Sequence, residues 1–242
     1  MKATCIRIRT TLIFILSVLV AMTSTGFAAN ETGKIISPDQ LGAEAGKDYH
    51  GVGLSVTPTT NGADLRCDFQ KLRGHATAEG LWLESTPPEV QDFPVRIIAH
   101  GFGRESLRLL PATGQIECYP FLARFVRPGV IEEYSVNVDG VRQDFLVNEK
   151  PSGSGPLRVE LSVDGAKAAT ASSGVTLVLK GSERKLAYDR LNVTDANGRT
   201  LTARIEVGSE RRLEVVVDDA TAAYPVRIDP TTAMPTGSVF QR

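Results

Sequence analysis

The chain reads as all-β: an antiparallel β-sandwich, one large body or two packed β-subdomains, with little helix. Three observations predict this. Leu157, Val159, Leu161 and Val163 alternate with Arg158, Glu160 and Ser162, and a period of two sets one face on a core and the other in water. Asn61-Gly62, Asp139-Gly140, Asp164-Gly165 and Asn197-Gly198 stand between strand-like runs, and such dipeptides supply the positive φ angles of tight hairpin turns. No long stretch carries an apolar stripe at helical spacing; Pro38 to Tyr49 has room for one short helix and no more.

Residues 1–28 have the order of a secretory signal peptide. Lys2, Arg7 and Arg9 precede an apolar run from Thr11 to Met22, and Gly26 and Ala28 are small residues before a cut after Ala28. The run falls short of the roughly 20 residues a spanning helix needs. The chain is therefore expected to be exported (secreted, on the cell surface or periplasmic), with no membrane insertion after signal cleavage. No cysteine stands at or just after the cut, which argues against a lipid anchor. Residues 29–41 read as an N-terminal linker.

A first β-region is expected over 42–150. Within it Tyr134, Val136 and Val138 alternate with Ser135 and Asn137. Pro151-Ser152-Gly153-Ser154-Gly155-Pro156 has the composition of a linker or loop, so 151–155 marks a break. A second β-region follows over 156–230. Leu201, Ala203, Ile205 and Val207 alternate with polar residues, as do Leu213, Val215 and Val217, where apolar Val216 interrupts the pattern. Val175 to Leu179 is denser and suits a strand covered on both faces. Residues 231–242 show no pattern and are expected to be a flexible tail. Gly181-Ser182-Glu183-Arg184-Lys185-Leu186 echoes Gly208-Ser209-Glu210-Arg211-Arg212-Leu213; one turn solution used twice accounts for both.

Removing Lys2, Arg7 and Arg9 with the signal takes the net charge from −1 to −4. A mildly acidic domain offers no electrostatic footprint for nucleic acid. Cys5 leaves with the signal, while Cys67 and Cys118 remain. A disulfide between them is chemically allowed in an oxidising compartment, and two separately buried thiols are the alternative.

The search for reactive constellations returns little. His50, His75 and His100 share no metal-ligand spacing, and neither a zinc pattern nor an acidic calcium loop appears. Glu132-Glu133 and Asp218-Asp219 are adjacent, so in a strand each pair splits between opposite faces and reads as solvated charge. Gly101-Phe102-Gly103-Arg104-Glu105-Ser106 lacks the third glycine and following helix of a phosphate cradle and reads as a turn or bulge. Ser106 lies near His100 in sequence, but no Gly-x-Ser-x-Gly elbow frames it. Trp82, within Gly80-Leu81-Trp82-Leu83, is expected in the core, with a sugar-stacking platform as the functional alternative. Catalytic, cofactor-binding and metal residues are thus expected to be none.

Several runs resemble a known family. Glu132-Glu133-Tyr134-Ser135-Val136, Asp139-Gly140-Val141-Arg142-Gln143-Asp144-Phe145, Leu191-Asn192-Val193-Thr194-Asp195-Ala196-Asn197-Gly198-Arg199 and Ala223-Tyr224-Pro225-Val226-Arg227-Ile228-Asp229-Pro230 carry the likeness. They resemble the uncharacterised N-terminal β-module of bacterial secreted or surface proteins whose downstream repeats are of β-propeller type, seven-bladed, kelch-like or integrin-like. The resemblance spans roughly 40–230. It implies a surface or extracellular place, with the downstream repeat domain or a cell-surface component as partner, and no activity or cofactor. In that family the Tyr-Pro-Val-Arg-Ile-Asp-Pro run is followed by the repeats, whereas here a dozen residues follow it.

The expected function is a non-catalytic extracytoplasmic structural or interaction module. The rivals are a carbohydrate-binding β-sandwich and a hydrolase in which His100, Ser106 and a carboxylate converge.

Overall fold

The alternation at 157–163 appears as a strand, Leu157–Asp164, whose Leu157, Val159, Leu161 and Val163 are wholly buried. Arg158, Glu160 and Ser162 face the other way and are half-buried. The same logic repeats along the chain. The structure is a computed structural model that describes residues 51–86, 94–112, 115–182 and 184–235. The signal and linker readings over 1–41, and the short helix considered at Pro38–Tyr49, lie outside the described residues.

The first half supplies β1 (Leu54–Pro58), β2 (Gly62–Cys67), β3 (Leu72–Thr77), β4 (Gly80–Ser85), β5 (Val95–Gly103), β6 (Leu107–Leu109), β7 (Gln115–Tyr119), β8 (Leu122–Arg127), β9 (Val130–Asn137) and β10 (Gly140–Val147). The second half supplies β11 (Leu157–Asp164), β12 (Ala166–Ala171), β13 (Gly174–Leu179), β14 (Lys185–Thr194), β15 (Ala203–Ser209), β16 (Arg212–Val217) and β17 (Val226–Ala233). Among the described residues the one helical element is a 3-10 turn, Asp68–Gln70. No described helix is long and apolar enough to cross a membrane.

Two antiparallel sheets pack face to face and do not close into a barrel. One runs β1-β2-β3-β4-β5-β11-β16-β15, with β6 beside β5; the other runs β12-β13-β14-β17-β10-β9-β8-β7. Each sheet therefore takes strands from both halves. The halves are sewn together where β5 pairs with β11 and β10 pairs with β17. The described parts of the regions 42–150 and 156–230 accordingly belong to one sandwich, and 151–155 is a loop within it. One buried layer runs through both halves, from Leu54 and Leu65 to Phe125, Phe145, Val159, Leu177, Val215 and Ile228.

Several details differ from the sequence reading. Thr231–Ala233 extends β17 rather than opening a tail: Thr232 and Ala233 are fully buried, because β17 is a central strand flanked by β10 and β14. The rest of that tail, from 236, lies outside the described residues. Thr176 and Val178 of β13 are half-buried while Val175, Leu177 and Leu179 are buried, so this strand has one covered face, not two. Leu201 and Thr202 precede β15 rather than belonging to it. Val216 is buried outside the core cluster, on the outward side of β16, in register with Arg158 and Arg204.

Three of the four Asn/Asp-Gly turns follow their chemistry: Gly140, Gly165 and Gly198 hold φ of +150°, +79° and +76°, whereas Gly62 has no positive φ and opens β2. A Cβ at Gly165 would lie 2.1 Å from the Pro94 carbonyl oxygen. The echoed segments are indeed one turn used twice. The Ser182 hydroxyl accepts from the Arg184 N–H at 3.3 Å, and the Ser209 hydroxyl from the Arg211 N–H at 3.5 Å.

Candidate functional site

The outward positions of β1 to β5 form ordered rows. Register places Thr57 opposite Asp64, Asp64 opposite His75, His75 opposite Trp82, and Trp82 opposite Arg96. A second row holds Ser55, Arg66, Arg73 and Glu84. Strands lie about 4.8 Å apart, so the first row crosses roughly 19 Å of sheet. Between and around the rows runs a shallow trough of about 860 Å³, with Leu65, Gly74, Leu83 and Pro94 also in its lining.

Trp82 is therefore not a core residue. Leu81 and Leu83 take the inward positions and are buried, which sends the indole between them to the outer face. The Arg96 guanidinium carbon sits 4.8 Å from the indole ring centre. That guanidinium is anchored by hydrogen bonds to the Glu79 carbonyl oxygen, 3.0 Å from Nε and 2.7 Å from Nη2. His75 lies on the other strand beside the indole, with ring centres 6.5 Å apart at 51°, and its Nδ1 is 3.8 Å from Asp64. Arg66 donates to both oxygens of Asp68, at 2.8 and 2.6 Å, and holds that carboxyl below its usual range. Arg73 and Glu84 are exposed along the trough. The lining thus mixes planar cationic donors, carboxylate acceptors and one aromatic edge, with the two signs of charge nearly balanced.

The residues considered for hydrolysis do not assemble. In β5, Gly101 faces Glu160 and Ala99 faces Leu161, so His100 is the extra residue of a β-bulge. Its Nε2 lies 2.8 Å from the Ser162 hydroxyl. Burial, then Arg212 and Arg96, lower its pKa. Ser106 sits in the bend after β5 and lines a separate cavity of about 270 Å³ with Phe102, Arg108, Gly129, Lys150 and Ser152. The partner of His100 is Ser162, on an open sheet face. No group of three His, Cys, Asp or Glu side chains among the described residues is placed to hold a metal ion.

Cys67 and Cys118 are separate free thiols, not a disulfide. They stand on different sheets, and each has its own acceptor: Cys67 Sγ donates to the Asn137 carbonyl at 3.2 Å, and Cys118 Sγ to the Gly62 carbonyl at 3.6 Å. Burial pushes the Cys67 thiol up to about 11.

Glu132 and Glu133, both in β9, point to opposite faces as strand geometry requires, but both are buried rather than solvated. Glu132 turns inward, 3.0 Å from Arg127, and accepts from the Tyr134 hydroxyl and the Gln143 amide, each at 2.6 Å. Glu133 turns outward to Arg124 and Arg227, each at 2.6 Å. Beside it Asp144 accepts from Arg227 at 2.7 Å and Arg142 at 3.0 Å. Burial, reinforced by the Asp229 charge, still pushes Asp144 up to about 7. Asp218 is exposed, whereas Asp219 is buried against Arg104.

No protein-family model, no curated protein and no solved structure matches this chain.

Proposed function

We propose that this chain is a non-catalytic extracytoplasmic structural or interaction module and that the trough over β1–β5 is its contact surface. The observation that carries the reading is the row Thr57, Asp64, His75, Trp82 and Arg96. It sets five side chains from five paired strands in one line on a rigid sheet. Sites built on paired strands hold their geometry better than sites on loops. The export signal read in residues 1–28 supports the extracytoplasmic place. The resemblance to leading modules of secreted repeat proteins supplies the kinds of partner, a repeat domain or a component of the cell surface. The pairing of His100 with Ser162, away from Ser106, speaks for a non-catalytic role.

A second reading, a carbohydrate-binding sandwich, is favoured by Trp82 standing on the outer face. Sugar hydroxyls suit the bidentate donors and carboxylate acceptors that flank it, and the near balance of charge suits a neutral ligand. Arg96 already covers part of the indole, so the indole edge and Arg73 would carry the contact rather than an open stacking face.

A glycan array and panels of esterase, peptidase and glycosidase substrates test both readings together. The expected result is selective retention on the array, weakened by Arg73→Ala, with background rates on every substrate panel. Turnover abolished by His100→Ala would overturn the non-catalytic reading. Array binding indifferent to Arg73→Ala and Asp64→Ala would remove the trough.

A further inference from the structure

Each sheet ends in two edge strands, and these differ in how well they are closed. Among the described strands, β1, β15, β12 and β7 end the sheets. β1 and β7 are five residues long, and β1 ends on Pro58. The edge of β12 is used by the body of the protein, since the Ala168 N–H donates to the Glu210 carbonyl at 2.8 Å. β15 is the longest of the four at seven residues and contains no proline.

Its open side follows from its register. The Thr202 carbonyl accepts from the Asp218 N–H at 2.9 Å, just before Ala203 pairs with Val217. Positions 202, 204 and 206 therefore turn their peptide groups toward β16. Ala203, Ile205 and Val207 turn theirs away from the sheet, where β15 has no further strand among the described residues. Edge strands are commonly protected by proline, by like charge or by a covering element.

The sequence of β15 is self-complementary about its centre. Ala203-Arg204-Ile205-Glu206-Val207 reads apolar, positive, apolar, negative, apolar. Antiparallel pairing of two such strands with Ile205 opposite Ile205 sets Arg204 of each copy against Glu206 of the other, and Ala203 against Val207. The centre falls on a residue whose N–H and C=O both point outward, which gives about six main-chain hydrogen bonds across the seam. Ala203, Ile205 and Val207 are already half-buried against the core, so a second copy continues the apolar layer. A cleft of about 460 Å³ beside Ala203 and Ile205, lined by Leu191, Asp189 and Arg190, leaves this edge accessible.

We propose that β15 is a homodimerisation edge: two copies join antiparallel through β15, centred on Ile205, so that their larger sheets form one continuous sheet. Arg204 and Glu206 pair with each other within the strand at 2.7 Å; a second copy adds the opposite charge across the seam from each, so the pattern selects this same chain as the partner.

The test uses the full chain in sedimentation velocity over a range of concentrations. The wild type is expected to show a monomer–dimer equilibrium. Arg204→Glu sets glutamate against glutamate twice, and Glu206→Arg sets arginine against arginine twice. Each variant alone is expected to weaken the dimer roughly tenfold. An equimolar mixture of the two variants restores matched pairs and is expected to recover it. Hydrogen exchange of the wild-type Ile205 amide supplies a measurement that needs no variant, with protection rising with concentration. A wild type that stays monomeric with a freely exchanging Ile205 amide would overturn the proposal. So would a dimer that both variants leave unchanged.

Discussion

Arg104 meets Asp219 through two parallel hydrogen bonds, 3.1 Å from Nη1 to Oδ1 and 2.6 Å from Nη2 to Oδ2, across 115 positions of sequence. Both side chains are almost wholly buried. The same guanidinium donates to the Pro151 carbonyl at 2.9 Å and to the Gly155 carbonyl, so it fastens both ends of the loop between the halves. The Tyr224 hydroxyl donates to Asp219 as well. Removing one partner leaves a buried charge uncompensated, and Arg104→Ala is expected to cost about 3–5 kcal/mol in urea unfolding. A loss below about 1 kcal/mol would show that the loop does not depend on this clamp.

The clamp also sets a pH dependence. Burial pushes the Asp219 carboxyl up, but hydrogen bonds from Arg104 and Tyr224 outweigh it and hold the pKa below the usual carboxylate range. A depressed carboxylate contributes stability that is complete above the unfolded value of about 3.9 and is lost as pH falls through the folded value. The stability gap between wild type and Asp219→Asn is therefore expected to be full at neutral pH and to shrink below about pH 4. A gap that stays constant down to the lowest accessible pH would contradict this.

Asp144 has the opposite sign. Its folded pKa, raised to about 7, lies above the unfolded value. The folded state then holds the extra proton between the two, so stability falls as pH rises from about 4 to 7 and levels off above. Asp144→Asn is expected to flatten that slope in urea midpoints measured across the window. An unchanged slope would place the titration elsewhere on the Arg142–Asp229–Arg227 cluster.

Val159 and Arg158 test the register of β11 directly. Val159 is wholly buried, whereas Arg158 is half-buried on the outer face in an ion pair with Glu214. Val159→Asp is expected to cost several kcal/mol, on the order of 3 or more. Arg158→Ala is expected to stay near or below about 1 kcal/mol. Equal losses at the two positions would contradict the face assignment.

How far the sequence reading reached depended on whether one phase of a strand was distinctly apolar. In β11 only the inward phase is apolar, so strand, register and burial were all legible. In Leu81-Trp82-Leu83 both phases are apolar, and nothing local says that the two leucines point inward and the indole outward. The hairpins were legible because turn chemistry is local, as Ser182 and Ser209 show. Arg104–Asp219 and Arg127–Glu132 were not. Arg104 and Asp219 come from different halves of the chain, and Arg127 and Glu132 resemble surface charge until β8 and β9 pair. The thiols gave no geometry, since the placement of Cys67 and Cys118 on different sheets is a property of the topology. β17 ends, by sequence pattern, at Pro230 because Thr231 and Thr232 are polar, yet a central strand buries them all the same.

The central claim is that the trough over β1–β5 makes the contact with a ligand or partner, and Trp82 reports on it. It is the sole tryptophan of the chain and stands in that trough, so its emission isolates the site. The most direct measurement is a titration of Trp82 emission with linear neutral oligosaccharides of glucose, xylose and N-acetylglucosamine. A saturable change in intensity or wavelength with at least one series, lost in Arg73→Ala with the fold intact by circular dichroism, is the result this account predicts. Emission that none of the series alters would remove the carbohydrate reading, and a change that Arg73→Ala and Asp64→Ala both leave at full strength would contradict the trough as the contact surface.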